Sequence, residues 1–433
     1  MSVSPIAIAA VVMLVLLFLN VPVFASVLGG CIAYFVTNPD AGITGALAIQ
    51  RVISGMQSVT MLAIPFFVAT GALMNYCGIT KRMMHFCKVL TGHMFGGLGQ
   101  VNVVLSTLMG GMSGSSLADA AMEAKMLVPD MRKAGYSNGF ASAITAASSM
   151  ITPLIPPGIA AIIYGSITGT SIGKLFVAGI VPAVILCAVM MCIVSRYSKK
   201  KGIPRLSERR ATAGELWRAF KPAILPLCLP IIIIGGIRFG IFTPTEAGAI
   251  AIFYALFLGI LYREIRLDNI LACIRETVVT TASIMLIVGA ATCFSWVLTW
   301  ENVPQTMTTF LISLCGNKYV FLLLVNVFLL CVGMFIEATA AQIVLAPMLV
   351  PVAVAFGIDP VHFGMMFIFN MAIGSLTPPM GNLMFVTCGV TKCSTEEFIK
   401  DCRVFYVMLF AMLMLMTYAP FLSTWLPNLI YGV

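Results

Sequence analysis

Residues Gly111–Pro157 read GMSGSSLADAAMEAKMLVPDMRKAGYSNGFASAITAASSMITPLIPP, and residues Gly333–Pro379, 222 positions on, read GMFIEATAAQIVLAPMLVPVAVAFGIDPVHFGMMFIFNMAIGSLTPP. Laid on each other without a gap, 13 of the 47 positions are identical, against roughly four expected by chance in so apolar a chain. The identities include Gly111-Met112 with Gly333-Met334, Met126-Leu127-Val128-Pro129 with Met348-Leu349-Val350-Pro351, Gly135 with Gly357, and Pro156-Pro157 with Pro378-Pro379. Each copy opens on a stretch that cannot run on as a plain spanning helix: Gly110-Gly111-Met112-Ser113-Gly114-Ser115-Ser116, then Gly333-Met334-Phe335-Ile336-Glu337-Ala338-Thr339. Each closes on a double proline, in Thr152–Gly158 and in Thr377–Gly381. Proline removes a backbone donor and disfavours helical geometry before it, so carbonyls lose their helical partners. A hydrophobic segment interrupted by Gly and Pro in both halves of a chain is the sequence pointer to a secondary transporter's binding site.

The rest of the chain says which solvent surrounds this repeat. Of 433 residues, 60% are hydrophobic and 9% charged, and mean hydropathy is +1.03. A soluble fold would lack the polar surface to cover itself. Apolar stretches recur at Pro5–Leu19, Leu175–Val194, Ala223–Ile234, Ala249–Leu261, Tyr319–Phe335 and Val404–Thr417, several near the roughly 20 residues that span a bilayer as a helix. The expectation is an all-α integral membrane protein of roughly a dozen hydrophobic segments. The first run has no Lys or Arg before it and is followed by further apolar segments, so it reads as mature structure and not as a leader. Thirteen cysteines without a CxxC pair, and three histidines, argue against a disulfide framework or a zinc site.

The net charge of +9 is not a nucleic-acid signal. Between Arg196 and Lys221, nine Lys or Arg face Glu208 and Glu215, a local balance of +7. By the positive-inside rule this segment is cytoplasmic. It divides the chain into a first membrane half, residues 1–195 with repeat 1 at about 100–165, a basic linker 196–222, and a second half, 223–433 with repeat 2 at about 325–390. No stretch reads as a separate soluble domain.

Ser113, Ser115, Ser116, Thr152, Thr339 and Thr377 place hydroxyls beside the freed carbonyls. Such carbonyls are tolerated in a membrane only when buried in protein or facing a water-filled cavity. An oxygen-rich, weakly charged pocket suits dehydrated Na+, and half-helix N-termini suit an anion. Asp119, Glu123 and Lys125 read equally as charges facing a cavity or the membrane surface, although an intramembrane acid is by default a functional candidate, and so is Glu337. Glu246, in Thr243-Pro244-Thr245-Glu246-Ala247, is explained as a helix N-terminal carboxylate. Gly110 and Gly114 also form a GxxxG packing pattern. Gly169-Thr170-Ser171-Ile172-Gly173-Lys174 fails as a phosphate loop, with three residues between the glycines and Leu175 after the lysine. Gly111-Met112-Ser113-Gly114 has the GxSG form of an intramembrane serine protease with His362 as base, but Phe335 replaces Ser113 in the second copy and a protease explains neither repeat nor prolines.

The chain resembles, over nearly its whole length, the large membrane subunit of tripartite ATP-independent periplasmic (TRAP) transporters, the DctM-like permeases. The resemblance is carried by Ile64-Pro65-Phe66-Phe67 with Gly71, Ser113-Gly114-Ser115-Ser116 with Ala118-Asp119, Pro129 through Gly135-Tyr136, Ile155-Pro156-Pro157, Gly240–Ala247, and Gly357–Gly364 leading to Thr377-Pro378-Pro379-Met380-Gly381. It implies an inverted-repeat, elevator-type transporter in the bacterial inner membrane, with two re-entrant hairpins and two interrupted helices. Such a permease would carry an organic acid anion with Na+, alongside a small four-helix membrane subunit and a periplasmic substrate-binding protein. With no further N-terminal helices before it, the chain is expected as a polypeptide separate from the small subunit.

Carried over residue by residue, the tips would be Gly111–Ser116 and Glu337–Thr339, and the breaks Thr152–Gly158 and Asn370–Gly381. The resemblance then implies substrate contacts at Ser113, Gly114, Ser115, Ser116, Pro157, Gly158, Asn370, Pro379 and Gly381, and Na+ ligands at Ser115, Thr152, Ile155, Glu337, Thr339, Gly374 and Thr377. Glu337 stands where Asp is expected, and Gly158 where many relatives have Ser. Proton coupling through Asp119, Glu123 or Glu337 is the alternative.

Overall fold

The computed structural model describes residues 4–19, 21–39 and 45–432, which form helices and, among the described residues, no strand. Its exterior is apolar: Ile231, Phe253, Phe257, Ile260 and Val407 are each more than half exposed. Side chains of that kind belong against lipid tails, as the composition requires. Among the described residues, six helices are long and apolar enough to cross a membrane, and up to nine spans result if three bent pairs each count as one. Five shorter apolar helices, among them Pro360–Leu376 and Asn382–Thr391, accompany them.

Element boundaries repeat with the sequence. In the first half a helix Gly97–Ser113 is followed by Ser116–Lys133, then Asn138–Ser148 with a tight turn Ser149–Leu154, then Ile159–Thr168. In the second half the order is Lys318–Gly333, Ala338–Ala355, Pro360–Leu376, Asn382–Thr391. Adding 222 to Ser116, Lys133, Asn138 and Leu154 gives 338, 355, 360 and 376, the bounds of the second set. Each half is thus a helical hairpin followed by a helix broken at its double proline. The local causes match too, since Pro removes the i−4 hydrogen bond and ends the helix before it.

The two units exchange arms. Ser116–Lys133 packs against Asn382–Thr391, and the equivalent Ala338–Ala355 packs against Ile159–Thr168. Reciprocal contact of this kind is the mark of a two-fold relation. The direction of the axis follows from the helix Thr395–Tyr418. Its start is tied to the base of the first hairpin, where Ser137 Oγ donates to Asp401 Oδ2 at 2.7 Å and Gly139 N donates to Glu397 Oε1 at 2.9 Å. Its end meets the base of the second hairpin, where Tyr418 Oη donates to the Tyr319 carbonyl at 3.4 Å. Twenty-four helical residues rise about 36 Å, more than the ~30 Å hydrocarbon core. The hairpin bases therefore lie on opposite faces, and the repeat is inverted.

The basic linker lies on the face of the first hairpin's base. Ser207 N donates to the Gly92 carbonyl at 3.0 Å, Tyr136 Oη donates to the Gly96 carbonyl at 2.9 Å, and Lys199 and Arg205 sit over Phe95. The base of the first hairpin thus shares a face with the basic linker, and the second hairpin enters from the opposite face. Glu246 is exposed and closes a capping box with Thr243, the structural role expected of it. All thirteen cysteines are free.

Candidate transport site

The first hairpin turns within two residues. Ser113 ends one helix, Gly114 adopts φ +64°, Ser115 is extended and caps the next helix by accepting from Ala118 N, and Ser116 begins that helix. Only a residue without Cβ fits at Gly114, because a Cβ there would lie 2.6 Å from the Pro157 carbonyl oxygen. Ile159 N donates to the Gly114 carbonyl at 3.4 Å. The tip is therefore seated in the first break, which brings Ser113, Gly114 and Ser115 to Pro157 and Gly158. Gly71, on the helix Ala63–Tyr76, lets that helix touch the tip from outside, its own added Cβ falling 2.6 Å from the Ser113 carbonyl.

Equivalent positions do equivalent work in the second repeat. Glu337, 222 residues beyond Ser115, caps the second arm by accepting from Ala340 N at 2.9 Å, as Ser115 accepts from Ala118 N at 3.4 Å. Gly110 packs against Thr152, and Gly333 packs against Gly374, the counterpart of Thr152. Gly110 thus has the close-packing role read from GxxxG, but against the break and not against a neighbouring span. Pro156 and Pro157 deprive the Thr152 and Pro153 carbonyls of i+4 donors, and Pro378 and Pro379 do the same to Gly374 and Ser375. Thr152 and Gly374 recover one bond each, from Ile155 N at 3.2 Å and Thr377 N at 3.0 Å. The carbonyls of Pro153 and Ser375, which sequence reasoning had not singled out, instead abut Gly158 and Gly381. Their signal was legible: each lies four residues before the second proline of its pair.

These oxygen-lined breaks fit an alkali cation, which takes neutral oxygens, better than a transition metal, and no cluster of three His, Cys, Asp or Glu exists among the described residues. The hydroxyls are already oriented. Thr152 Oγ1 donates to Asp119 Oδ2 at 2.7 Å, and Thr377 Oγ1 donates to the Ile373 carbonyl at 2.7 Å. Both therefore turn acceptor lone pairs, and no hydrogen, to any further partner. Thr339 lies in the first turn of Ala338–Ala355. The breaks touch through packing of Pro360–Leu376 on the turn Ser149–Leu154, and Gln342 Nε2 reaches across to the Ala160 carbonyl at 2.6 Å. Their exposure differs: Thr152, Pro157 and Gly158 are buried, whereas Glu337, Pro379 and Met380 are exposed.

Asn370 is not at the break. Its side chain, fully buried, donates to the Asn326 carbonyl and Oδ1 at 3.0 and 2.7 Å, and Asn326 donates to Thr417 Oγ1 at 2.9 Å. Seven residues of helix, about 10 Å, separate it from Thr377. Asp119 and Glu123 are both fully buried, while Lys125 on the same helix is exposed; neither acid lies at the membrane surface. His362 does not serve Ser113. Its Nδ1 is 2.9 Å from Ser423 Oγ and its Nε2 is 3.3 Å from the Thr417 carbonyl, in the first turn of the helix Pro360–Leu376. With serine at a hairpin tip and histidine beside the far base, the protease arrangement is absent.

Two hairpins entering from opposite faces, with paired helix breaks at their tips, define a multi-pass transporter of inverted-repeat type. A sequence model of the family described as "Tripartite ATP-independent periplasmic transporter, DctM component" matches residues 10–422, and the chain belongs to that family. It is 42% identical to the Sialic acid TRAP transporter large permease protein SiaM of Vibrio cholerae, over 96% of this chain and 97% of that one. It is 38% identical to the 2,3-diketo-L-gulonate TRAP transporter large permease protein YiaN of Escherichia coli, over 86% and 87%. With the C4-dicarboxylate TRAP transporter large permease protein DctM of Pseudomonas aeruginosa it shares 36% identity over 93% of each chain. Among solved structures, the Alcanivorax borkumensis YdaH transporter superimposes with a TM-score of 0.54, covering 98% of this chain and 100% of that one at 13% identity, a likeness of fold alone. The chain is a TRAP transporter large permease subunit, a transport protein and not an enzyme.

Proposed function

We propose that this permease imports a small organic acid anion driven by Na+, by an elevator movement of the two hairpins and two broken helices against the remaining helices. The observation that carries the reading is the paired construction of the breaks, each with carbonyls freed by a double proline beside a hairpin tip. Na+ held by the carbonyls and hydroxyls of Ser115, Thr152, Ile155, Glu337, Thr339, Gly374 and Thr377 would fix each tip on its break. The anion would then lie between the tips, against Ser113, Gly114, Ser116, Pro157, Gly158, Pro379 and Gly381. If both ligands favour the same arrangement, each raises the other's affinity by an equal factor. Sialic acid, 2,3-diketo-L-gulonate and C4-dicarboxylates, the substrates in the names of three relatives, are carboxylates, and isethionate, in the name of a fourth, is a sulfonate; all are organic acid anions, which supports the class. The working assembly includes a small membrane subunit and a periplasmic binding protein in a bacterial inner membrane.

The first test is the melting temperature of the purified chain across NaCl, KCl and choline chloride at constant ionic strength. A ligand bound only to the folded state must stabilise it by mass action. A saturable rise specific to Na+ is expected, reduced in Ser115→Ala and Thr377→Ala. Identical curves in the three salts would overturn Na+ coupling.

A further inference from the structure

Glu123 takes no part in either tip, yet its side chain is wholly buried. The elements packed against its helix are Gly97–Ser113, Asn138–Ser148 with the turn Ser149–Leu154, and Asn382–Thr391. None of them contains Lys, Arg, His, Asp or Glu; the one titratable side chain they carry is Cys388. Asp119, one turn earlier on the same helix, and Cys87 on the helix Ile79–Thr91 are the remaining titratable groups nearby. No cation pairs with Glu123 among the described residues, and its Oε1 has no hydrogen-bond partner among them. An uncompensated buried carboxylate is among the costliest groups in a membrane protein.

The hydrogen bonds around Oε2 count protons. Oε2 is hydrogen-bonded to Ser106 Oγ, Ser106 Oγ lies 2.7 Å from Ser148 Oγ, and Ser148 Oγ lies 2.9 Å from Asn102 Oδ1. Asn102 Nδ2 donates to Thr145 Oγ1 at 2.8 Å, and Thr145 Oγ1 donates to the Ala141 carbonyl at 2.8 Å. Each hydroxyl has one hydrogen. If Ser106 gave its hydrogen to Glu123, Ser148 would have to give its own to Ser106, and two bare oxygens of Ser148 and Asn102 would face each other. Every side-chain pair has its hydrogen when Glu123 donates to Ser106, Ser106 to Ser148, and Ser148 to Asn102 at 2.9 Å, closer than the other acceptor near Ser148 Oγ, the Thr145 carbonyl of its own helix at 3.1 Å. The reverse chain needs the Asn102 amide turned about its axis.

We propose that Glu123 is a proton-binding site of the first hairpin, neutral in this arrangement and the head of a one-way hydrogen-bond chain that ties the hairpin to the first broken helix. Release of the proton requires the Asn102 amide to turn, so proton occupancy and the seating of the hairpin are linked. The second repeat lacks the device, with Leu345, Phe328 and Leu324 at the positions of Glu123, Ser106 and Asn102. The proposal deepens the transport reading by adding a proton to the ions the hairpin carries.

The test is infrared spectroscopy of the purified full chain at neutral pH, where surface acids are ionised and show no carboxylic-acid carbonyl band. The expected result is such a band in the unsubstituted chain, lost in Glu123→Gln, retained in Asp119→Asn and shifted in Ser106→Ala. Absence of the band, or its survival in Glu123→Gln, overturns the proposal. Should Glu123→Gln fail to fold, a band unmoved by Ser106→Ala does the same. The spectrum needs no uptake, so a missing band leaves Na+-driven transport standing, and failed transport leaves the assignment of the band untouched.

Discussion

The two repeats share a backbone plan and differ in what fills it. In the first, the hairpin and broken helix bury Asn102, Ser106, Asp119, Glu123, Thr145, Ser148 and Thr152. In the second, the equivalent positions are Leu324, Phe328, Ala341, Leu345, Phe367, Asn370 and Gly374. Asn370 is the one side chain there that keeps a hydrogen-bonding group, and it turns to Asn326. The first break is buried, and the second is open at Pro379 and Met380. Backbone breaks are therefore what the shared architecture demands, while the buried polar groups are placed differently: besides Asn370, the second repeat buries Asn326, Gln342 and His362, at positions that do not match those of the first. The chain that runs from Glu123 through Ser106 and Ser148 to Asn102 has no counterpart in the second repeat, so it points to a task that the second repeat does not perform.

The sharpest way to break the comparison is to move chemistry across it. Leu345→Glu puts an acid where no hydroxyl chain awaits it; a loss of about 3 kcal/mol or more is expected, read as failure to accumulate folded chain in detergent. Normal yield and melting would mean that the second repeat tolerates what only the first should. Next in size is the backbone contact common to both: Gly374→Leu drives a side chain into Gly333, 2.7 Å from the built Cβ, and should cost about 1–3 kcal/mol and abolish uptake in proteoliposomes. Gly110→Leu, against Thr152, should match it if the repeats are mechanically equal. Asn326→Ala strips Asn370 of its side-chain partner, and a drop of about 1–3 kcal/mol in denaturant unfolding is expected, with the Na+-dependent melting shift unchanged. Smallest are the caps. Ser115→Ala and Glu337→Ala should each cost about 0.5–2 kcal/mol of stability, whereas Glu337→Gln, which keeps the accepting oxygen, should cost less than either.

Much of the architecture is legible in the sequence because its causes are local. Pro156-Pro157 and Pro378-Pro379 stop helices wherever they occur, and Gly114 permits a turn that few other residues allow. The tips and breaks accordingly lie where the residue types put them. Asn370 stands apart from the break for an equally physical reason: nothing in its neighbourhood in sequence reveals Asn326, 44 residues earlier, which occupies its amide. Ser106 and Asn102 give no sign of themselves in the sequence, because a lone polar residue in an apolar helix is uninformative until its partner is known. Asp119 and Glu123 are visible as acids, but their shared burial cannot be read from spacing four apart, which fits a wet face as well as a dry one.

By itself the sequence determined the solvent, the duplication and the break points, since apolar content, internal identity and missing proline donors are properties of short stretches of chain. The tertiary structure alone decided that the hairpins enter from opposite faces, that Gly71 brings an outer helix onto Ser113, and that Ser106 meets Ser148 across 42 residues. Those depend on which helices close on one another, and in so uniformly apolar a chain hydrophobicity hardly distinguishes one helix face from the next; packing of small residues and pairing of buried hydroxyls make the choice.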